Sequence, residues 1–391
     1  MSLVKRARTS GPESSSNALI QTQQNERLTR LNAPTVQLSG HEGPVLAVKF
    51  DPTGDYIASS GIQRDIFIWK TYEDNAHLLT LSGHKRAVLD IAWSRDGSQL
   101  FSASADHTVA TTDVYTGARV RKHLVVTDPA SPDSGMVNSL DTVRRGTELI
   151  IAGTDAGIVA VFDPRDRFPV YTIRPRPFQA RNPAASNLPI LAVATNNDGS
   201  LLFSAGIDDA ISVWDPRTLG GESNSFDKPV LTLAGHTNSV TSLSVSPDNE
   251  TLLSNSMDST VRTWNIRPFV PGSPMAAAPG STGYYTTLAT PSPRAGRVLD
   301  GAPAGIESRL MRAAWSTFPI GRDGMRGTHI AAGGGDHTVA IWEARSGQLL
   351  NKLPGHQGAV TDVCFSPAEP IIASASSDGT VILGEIPSLR V

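Results

Sequence analysis

The strictest constraint in this sequence is a repeated spacing. Gly-His pairs stand at Gly40-His41, Gly83-His84, Gly235-His236 and Gly355-His356, and 22 residues beyond each histidine lie Gln63, Asp106, Asp258 and Asp378. Small residues crowd these turns, as in Ser-Ala-Ser-Ala-Asp106 and Ser-Ala-Ser-Ser-Asp378. Six residues further on, a tryptophan ends the next apolar run at Trp69, at Trp264, at Trp214 after Asp208 and at Trp342 after Asp336. Ala156 to Phe162 and Asp378 to Gly384 keep the same step in degenerate form. Seven turns result, at positions 63, 106, 156, 208, 258, 336 and 378, and every interval lies between 42 and 52 residues except one of 78. Self-similarity near this period, with Gly-His and Trp-Asp signatures, marks the blades of a propeller. The expected fold is all-β, a single seven-bladed β-propeller.

Within a unit the pattern reads as four short strands: Val45 to Phe50, Tyr56 to Ser60, Ile66 to Trp69 and Leu78 to Leu81, separated by Pro-Thr-Gly and polar turns. Each strand is largely apolar, as expected where a blade is sandwiched between neighbours and buries both faces. Thr35 to Leu38 precedes the first Gly-His with no blade before it, so it is expected to close the ring as the outer strand of the last blade.

The repeated histidines, turn acids and tryptophans invite a catalytic or metal reading, but an active site is built once and these recur, whole or in part, from blade to blade. A buried Asp, His or Trp needs hydrogen-bond partners, so the repeated set is read as a bracing network. Only the fifth unit keeps His236, Asp258 and Trp264 together, with Ser254 or Ser256 as the hydroxyl. Partial sets remain as His41 with Trp69, His84 with Asp106, Asp208 with Trp214, Asp336 with Trp342, and His356 with Asp378. The second unit has Thr112 and the seventh Gly384 in place of tryptophan, and units three, four and six lack the Gly-His pair, so these are expected to lean on packing. No His-Glu-x-x-His, Gly-x-x-x-x-Gly-Lys or Gly-x-Ser-x-Gly element is present. Gly333-Gly334-Gly335 reads as tight strand packing. No catalytic residue, cofactor or metal site is expected, and the chain is read as a non-enzyme.

Hydrophobic residues make up 39 % and charged residues 18 %, and the net charge is −3, so no global field draws the chain to nucleic acid or anionic lipid. Any RNA contact is expected to be indirect. The lone Cys364, in Val-Thr-Asp-Val-Cys-Phe365, reads as a buried strand thiol in a reducing compartment. No apolar run approaches the roughly 18 residues of a membrane helix, so an intracellular soluble protein is expected. Residues 1–32 carry Lys5, Arg6, Arg8, Arg27 and Arg30 against Glu13 and Glu26 and read as a disordered tail, with Lys5-Arg6-Ala7-Arg8 as a candidate import signal. Residues 33–391 form the propeller. The long interval is attributed to a Pro/Gly-rich loop insertion at 268–305 between blades five and six, and to a shorter excursion at Thr317 to Gly327.

The repeat resembles WD-repeat proteins over nearly the whole chain. More specific residues resemble one family of them, the forty-kilodalton WD-repeat proteins of the U5 small nuclear ribonucleoprotein. These are the run from Leu253 through Trp264-Asn-Ile-Arg267-Pro268-Phe269, Leu100-Phe-Ser-Ala-Ser-Ala-Asp106, Ala205-Gly-Ile-Asp-Asp209, and Gly384-Glu-Ile386 in place of a final Trp-Asp. Extra loops at 125–135, 174–189 and 268–305, and Gln63 in place of the first turn acid, depart from that family. The resemblance implies a nuclear, non-catalytic scaffold of the U5 ribonucleoprotein in pre-mRNA splicing. It would be a monomer within the spliceosome, docked on the large U5 scaffold protein. Arg64, Lys85, Arg86 and Asn238, just beyond blade turns or Gly-His pairs, with Arg267 and Phe269, are the candidate partner contacts. The alternative is a substrate receptor of a cullin-type ubiquitin ligase, because Trp214-Asp-Pro-Arg217 matches the short motif such receptors use. Phe162-Asp-Pro-Arg165 and Trp264-Asn-Ile-Arg267 match it more loosely.

Overall fold

Each unit turns where an acid or hydroxyl can bond its own backbone. At the first turn of blade 1 the Asp51 carboxylate accepts the N–H groups of Gly54 (2.8 Å) and Tyr56 (2.9 Å), and Gly54 takes the left-handed φ of +86° that the turn requires. Apolar residues on both sides of such turns then pair as antiparallel ladders. The computed structural model describes residues 29–73, 75–125, 135–175, 188–218, 229–270, 273–274, 294–305, 310–318 and 327–386. Among them the only helical element is the 3-10 turn Pro216–Thr218.

Seven four-stranded sheets form the ring. Blade 1 comprises Val45–Phe50, Tyr56–Gly61, Ile66–Lys70 and His77–Leu81, and blade 2 Val88–Trp93, Gln99–Ser104, Thr108–Asp113 and Arg119–Leu124. Blade 3 comprises Val137–Thr142, Ile150–Thr154, Val159–Phe162 and Tyr171–Ile173, and blade 4 Ile190–Thr195, Leu202–Gly206, Ala210–Trp214 and Leu231–Ala234. Blade 5 holds Val240–Val245, Thr251–Ser256, Thr260–Asn265 and Ala295–Asp300, and blade 6 Ala313–Trp315, His329–Gly333, Val339–Glu343 and Leu349–Leu353. Blade 7 holds Val360–Phe365, Ile371–Ser376 and Thr380–Glu385, and Thr35–Ser39 completes it: Thr35 pairs with Gly384 and Ser39 with Thr380. The expected closure is what the structure shows.

There is no single central core. Seven apolar clusters each fill the wedge between two neighbouring blades, such as Val45, Val48 and Ile57 against Val381 and Leu383, or Leu243, Leu252 and Trp264 against Phe203 and Ile211. The middle strands are therefore buried on both faces. The outermost strands are not: His77–Leu81 and Arg119–Leu124 each keep a single buried residue, so burial of every strand does not hold.

The innermost strands face the axis with a free edge, and a recurring bulge satisfies it. Register shifts follow the first residue in blades 1, 2, 3, 4, 5 and 7. Where the bulged residue is polar it donates to the next blade: Asn138 to the Ile190 carbonyl (2.9 Å), Thr241 to Met311 (2.8 Å) and Thr361 to Val45 (2.7 Å). The residue after it accepts from the next blade, as Asp90 does from Leu140 N–H (2.7 Å) and Asp362 from Val48 N–H (3.0 Å). Orphan groups at a sheet edge thus become stitches between blades.

Three expectations are corrected. The 268–305 interval is not wholly an insertion between blades, because Ala295–Asp300 within it is the outer strand of blade 5, paired with Thr260–Trp264. The added length lies inside that blade, and part of it forms the short ladder Phe269–Val270 with Ser273–Pro274. Residues 29–32 belong to the folded body and not to a tail. Leu31 is buried in the wedge between blades 7 and 1, Arg30 lies over the Tyr72 ring at 4.0 Å, and its N–H donates to Glu369 (2.9 Å). Residues 1–28, with the Lys5 to Arg8 cluster, lie outside the described residues, as do most of 125–135 and 174–189. Thirdly, Cys364 is half-buried and lines the axial cavity, because alternate residues of an innermost strand face the channel. The close approach expected at Gly333-Gly334-Gly335 is present: a Cβ on Gly333 would lie 2.4 Å from the Val360 carbonyl, and one on Gly335 2.5 Å from Gly305.

Candidate functional site

The blade networks use up the residues that looked most like chemistry. In blade 5 the His236 Nδ1 lies 2.8 Å from Asp258, its Nε2 lies 2.7 Å from the Ser254 hydroxyl, and Trp264 Nε1–H donates to the same hydroxyl at 2.8 Å. One proton assignment satisfies all three: Trp264 donates to Ser254, Ser254 to His236 Nε2, and His236 Nδ1–H to the carboxylate. Ser254 is the network hydroxyl, while Ser256 donates to the Asn238 carbonyl and accepts from Asp258 N–H. Burial alone would raise the Asp258 pKa, but hydrogen bonds from His236 and Thr260 hold it well below the usual carboxylate range. Asp106 is held down in the same way by His84 and Thr108.

Blade 1 keeps the network despite Gln63: His41 bonds the Gln63 side chain (3.2 Å) and Ser59 (2.8 Å), and Trp69 donates to Ser59 (2.8 Å). Blades 2 and 7 keep the His and Asp half, as His84–Asp106–Ser102 and His356–Asp378–Ser374. Blade 4 keeps the other half, Trp214 donating to Ser204 at 2.9 Å, with Asp208 at its turn, so it does not rely on packing alone. In blade 6 Trp342 donates to the Asp300 carbonyl and Asp336 pairs with Lys352 at 2.9 Å.

A neutral His41 carries a pH signature. Burial pushes its pKa down from 6.5 to about 4, against a smaller upward pull from Gln63. The folded state therefore binds this proton more weakly than the unfolded chain. The stability that follows is complete above pH 6.5 and is lost as pH falls towards 4, by roughly 3 kcal/mol at most. Urea unfolding midpoints measured from pH 7.5 to 4.5 should fall, with a smaller fall in His41→Asn. Equal pH slopes in the two proteins would refute the assignment.

The residues missed by sequence reading line the axis. A cavity of about 150 Å³ is bounded by Lys49, Asp90, Asp141, Arg144, Arg312 and Cys364, among others. Arg312, at the start of blade 6, crosses the channel to pair with Asp90 of blade 2, donates to the Leu89 carbonyl (3.0 Å), and lies 3.7 Å from Asp362 of blade 7. Lys49 of blade 1 pairs with Asp362 at 2.8 Å. These acids carried no sequence signal, because each occurs once in a strand that repeat comparison reads as apolar. Lys49, Asp90, Arg312 and Asp362 pin blades across the axis in ion pairs. Among the described residues, no group of three or more His, Cys, Asp or Glu side chains is placed to hold a metal.

Partner-contact candidates divide between the two faces. The Gly-His loops and acid turns share one face, and there Ile66–Leu81 pairing sets the turn bearing Ile62 and Arg64 beside the loop bearing Lys85 and Arg86. All four are exposed, Ile62 by 54 %, and among the described residues none of the three cations is held in an ion pair. Asn238 is exposed on the same face but belongs to the connection between blades 4 and 5. Arg267 lies on the opposite face, paired with Glu250, and the side chain of Phe269 lies outside the described residues. The aromatic-x-x-Arg corners have a local cause: Arg165, Arg217 and Arg267 each donate their backbone N–H to Asp163, Asp215 or Asn265 (2.9–3.0 Å).

The family model "WD domain, G-beta repeat" matches residues 32–70, 75–110, 182–215, 227–265 and 347–383. It passes over most of blades 3 and 6, which lack the Gly-His pair. Along its length the chain is similar to pre-mRNA-splicing factor cwf17 of Schizosaccharomyces pombe, at 34 % identity across 92 % of this chain and 90 % of that protein. It is similar to the U5 small nuclear ribonucleoprotein 40 kDa protein of Homo sapiens at 37 % identity, across 92 % and 86 % of the two chains. The corresponding Dictyostelium discoideum protein is 34 % identical across 92 % and 87 %.

Proposed function

Because the chain belongs to the WD-repeat family that includes the U5 small nuclear ribonucleoprotein 40 kDa protein and cwf17, we propose that it is a non-catalytic scaffold of the U5 particle in pre-mRNA splicing. The observation that carries this reading is similarity through nine-tenths of both chains to proteins named for splicing, beyond what shared repeats require. The propeller acts as one unit together with residues 29–32, the segment before them supplies import into the nucleus, and the large U5 scaffold protein is the docking partner. The structure supports a scaffold role in physical terms: the ring is rigidified by cross-blade pairs, and the Gly-His histidines with the acids at their turns are engaged in bracing.

Docking is assigned to the face bearing Ile62, Arg64, Lys85 and Arg86, where an apolar centre is flanked by unpaired cations. Arginine and apolar anchors of this kind contribute most of the energy of protein interfaces. Tagged protein purified from its native cell after nuclease treatment should bring down the large U5 scaffold. Arg64→Glu with Arg86→Glu should reduce that recovery by about tenfold or more. Unchanged recovery would dismiss this face. Recovery of cullin adaptor subunits alone would overturn the splicing role in favour of a ligase receptor.

A further inference from the structure

The rim of blades 2 and 3 carries a surface that neither bracing nor the assigned docking face uses. Its first part is the turn and outermost strand of blade 2, where Tyr115 is 83 % exposed and Val120 53 % exposed. Its second part is the connection 163–170 of blade 3, where Phe168 is 51 % and Val170 58 % exposed. The two are joined into one ribbon. The Leu124 N–H donates to the Arg167 carbonyl (3.0 Å), His123 Nδ1 bonds the Asp166 carbonyl (2.7 Å), and Arg121 bonds the Arg165 carbonyl. His123 is fully buried and braced from behind by the Thr111 hydroxyl at 2.8 Å, so the loop is fastened to the strand beneath it.

The charge of this ribbon is as distinctive as its apolar exposure. Arg119, Arg121, Lys122, Arg165 and Arg167 lie within it, against Asp113, Asp163 and Asp166. Two of the acids are turned inward: Asp113 accepts the N–H groups of Tyr115 and Thr116, and Asp163 that of Arg165. Arg119 and Arg121 spend hydrogen bonds on carbonyls and keep their charge, and Arg167 stands over the Phe168 ring at 5.9 Å. Among the described residues none of the five cations is in an ion pair. On a chain of net charge −3 this is a local positive field around four exposed apolar side chains.

We infer that the blade 2–3 rim is a second docking surface, separate from the Arg64 face, which takes an acidic segment of a partner protein bearing aromatic or aliphatic anchors. Acidic groups complement the five cations, and the anchors cover Tyr115, Val120, Phe168 and Val170. Two observations favour a protein segment over RNA. Half of the exposed apolar groups are valines, which offer no face for a base to stack on, and the ribbon matches the Tyr, Phe and Arg composition of protein interface centres.

The test uses the full chain and fluorescence anisotropy. The probes are a fluorescein-labelled peptide alternating glutamate with phenylalanine, a polyglutamate peptide of equal charge, and oligouridylate. The glutamate–phenylalanine peptide should bind in a salt-dependent manner and more tightly than either other probe. Arg165→Glu with Arg167→Glu should weaken it by about tenfold or more, and Tyr115→Ser with Phe168→Ser by several-fold. All four positions are exposed, so unchanged melting temperatures will show that the variants fold. Failure of the peptide to bind, equal binding of polyglutamate, or tighter binding of oligouridylate would each overturn the proposal. The same rim variants leave Arg64 and Arg86 in place, so recovery of the U5 scaffold reports on the first docking face independently.

Discussion

Arg312→Met is expected to destabilise the propeller by about 3–5 kcal/mol. The guanidinium sits on the axis and is the cation partner of Asp90 while also lying 3.7 Å from Asp362, carboxylates whose side chains are 4 % and 1 % exposed. Burial lowers the arginine pKa and the two acids raise it above its ordinary value, so the charged form is held throughout. Removing the arginine leaves Asp90 charged and buried, and breaking one side of a buried pair costs more than the intact pair contributes. The loss is not confined to one blade. Asp90 also accepts the Leu140 N–H of blade 3, and Arg312 donates to the Leu89 carbonyl, so three blades loosen together. Asp362 suffers less, because Lys49 remains 2.8 Å away. Adding Asp90→Asn to Arg312→Met should restore part of the stability by removing the orphaned charge. A urea midpoint for Arg312→Met that matches wild type would show that the axial cluster is too hydrated to matter.

The axial cluster also shows where sequence reading stops. Repetition made the fold legible: a 22-residue step from histidine to turn and a six-residue step to tryptophan recur because every blade meets the same packing problem. The closing strand was legible because Thr35 to Leu38 had no blade before it. Arg312 and Lys49 are singular, Asp90 recurs only as Asp362, and the four meet only when the ring closes and brings blades 1, 2, 6 and 7 to a common axis. No window of sequence contains that juxtaposition. The placement of Ala295–Asp300 was hidden for a related reason. Its sequence, Ala-Gly-Arg-Val-Leu-Asp, is exposed along most of its length and adjoins Pro/Gly-rich chain, so local composition reads as loop while pairing with Thr260–Trp264 makes it a strand.

Candidate contacts were legible only in part. Arg64, Lys85 and Arg86 fall together because blade hairpins have a fixed direction, which puts every Gly-His loop and every acid turn on one face. Arg267 follows a third strand and so must emerge on the other face, where it meets Glu250. The rim ribbon escaped notice because its halves lie some 40–50 residues apart, one blade period. Arg119-Val-Arg-Lys122 and Arg165-Asp-Arg-Phe168 each look like an ordinary solvated stretch alone.

Trp264→Ala should also cost about 3–5 kcal/mol, through the cavity it opens in the wedge between blades 4 and 5. Trp264 is 1 % exposed there, against Leu252 and Phe203. The informative quantity is its coupling to Ser254. The serine hydroxyl accepts from Trp264 and donates to His236, so Ser254→Ala leaves two buried polar groups unsatisfied and should cost about 1–3 kcal/mol. Once the tryptophan is gone one of those orphans no longer exists, and the double variant should be more stable than the sum of the single losses predicts by about 0.5–1.5 kcal/mol. Blade 6 supplies the control. Trp342 is equally buried, but its N–H goes to the Asp300 carbonyl, and its blade has Ala332 where blade 5 has Ser254, so Trp342→Ala and Asp336→Ala should be additive. Urea denaturation of both cycles decides the matter. Coupling in blade 5 alone makes the hydrogen-bonded set a cooperative brace, whereas additivity in both would reduce it to four residues that happen to be well packed.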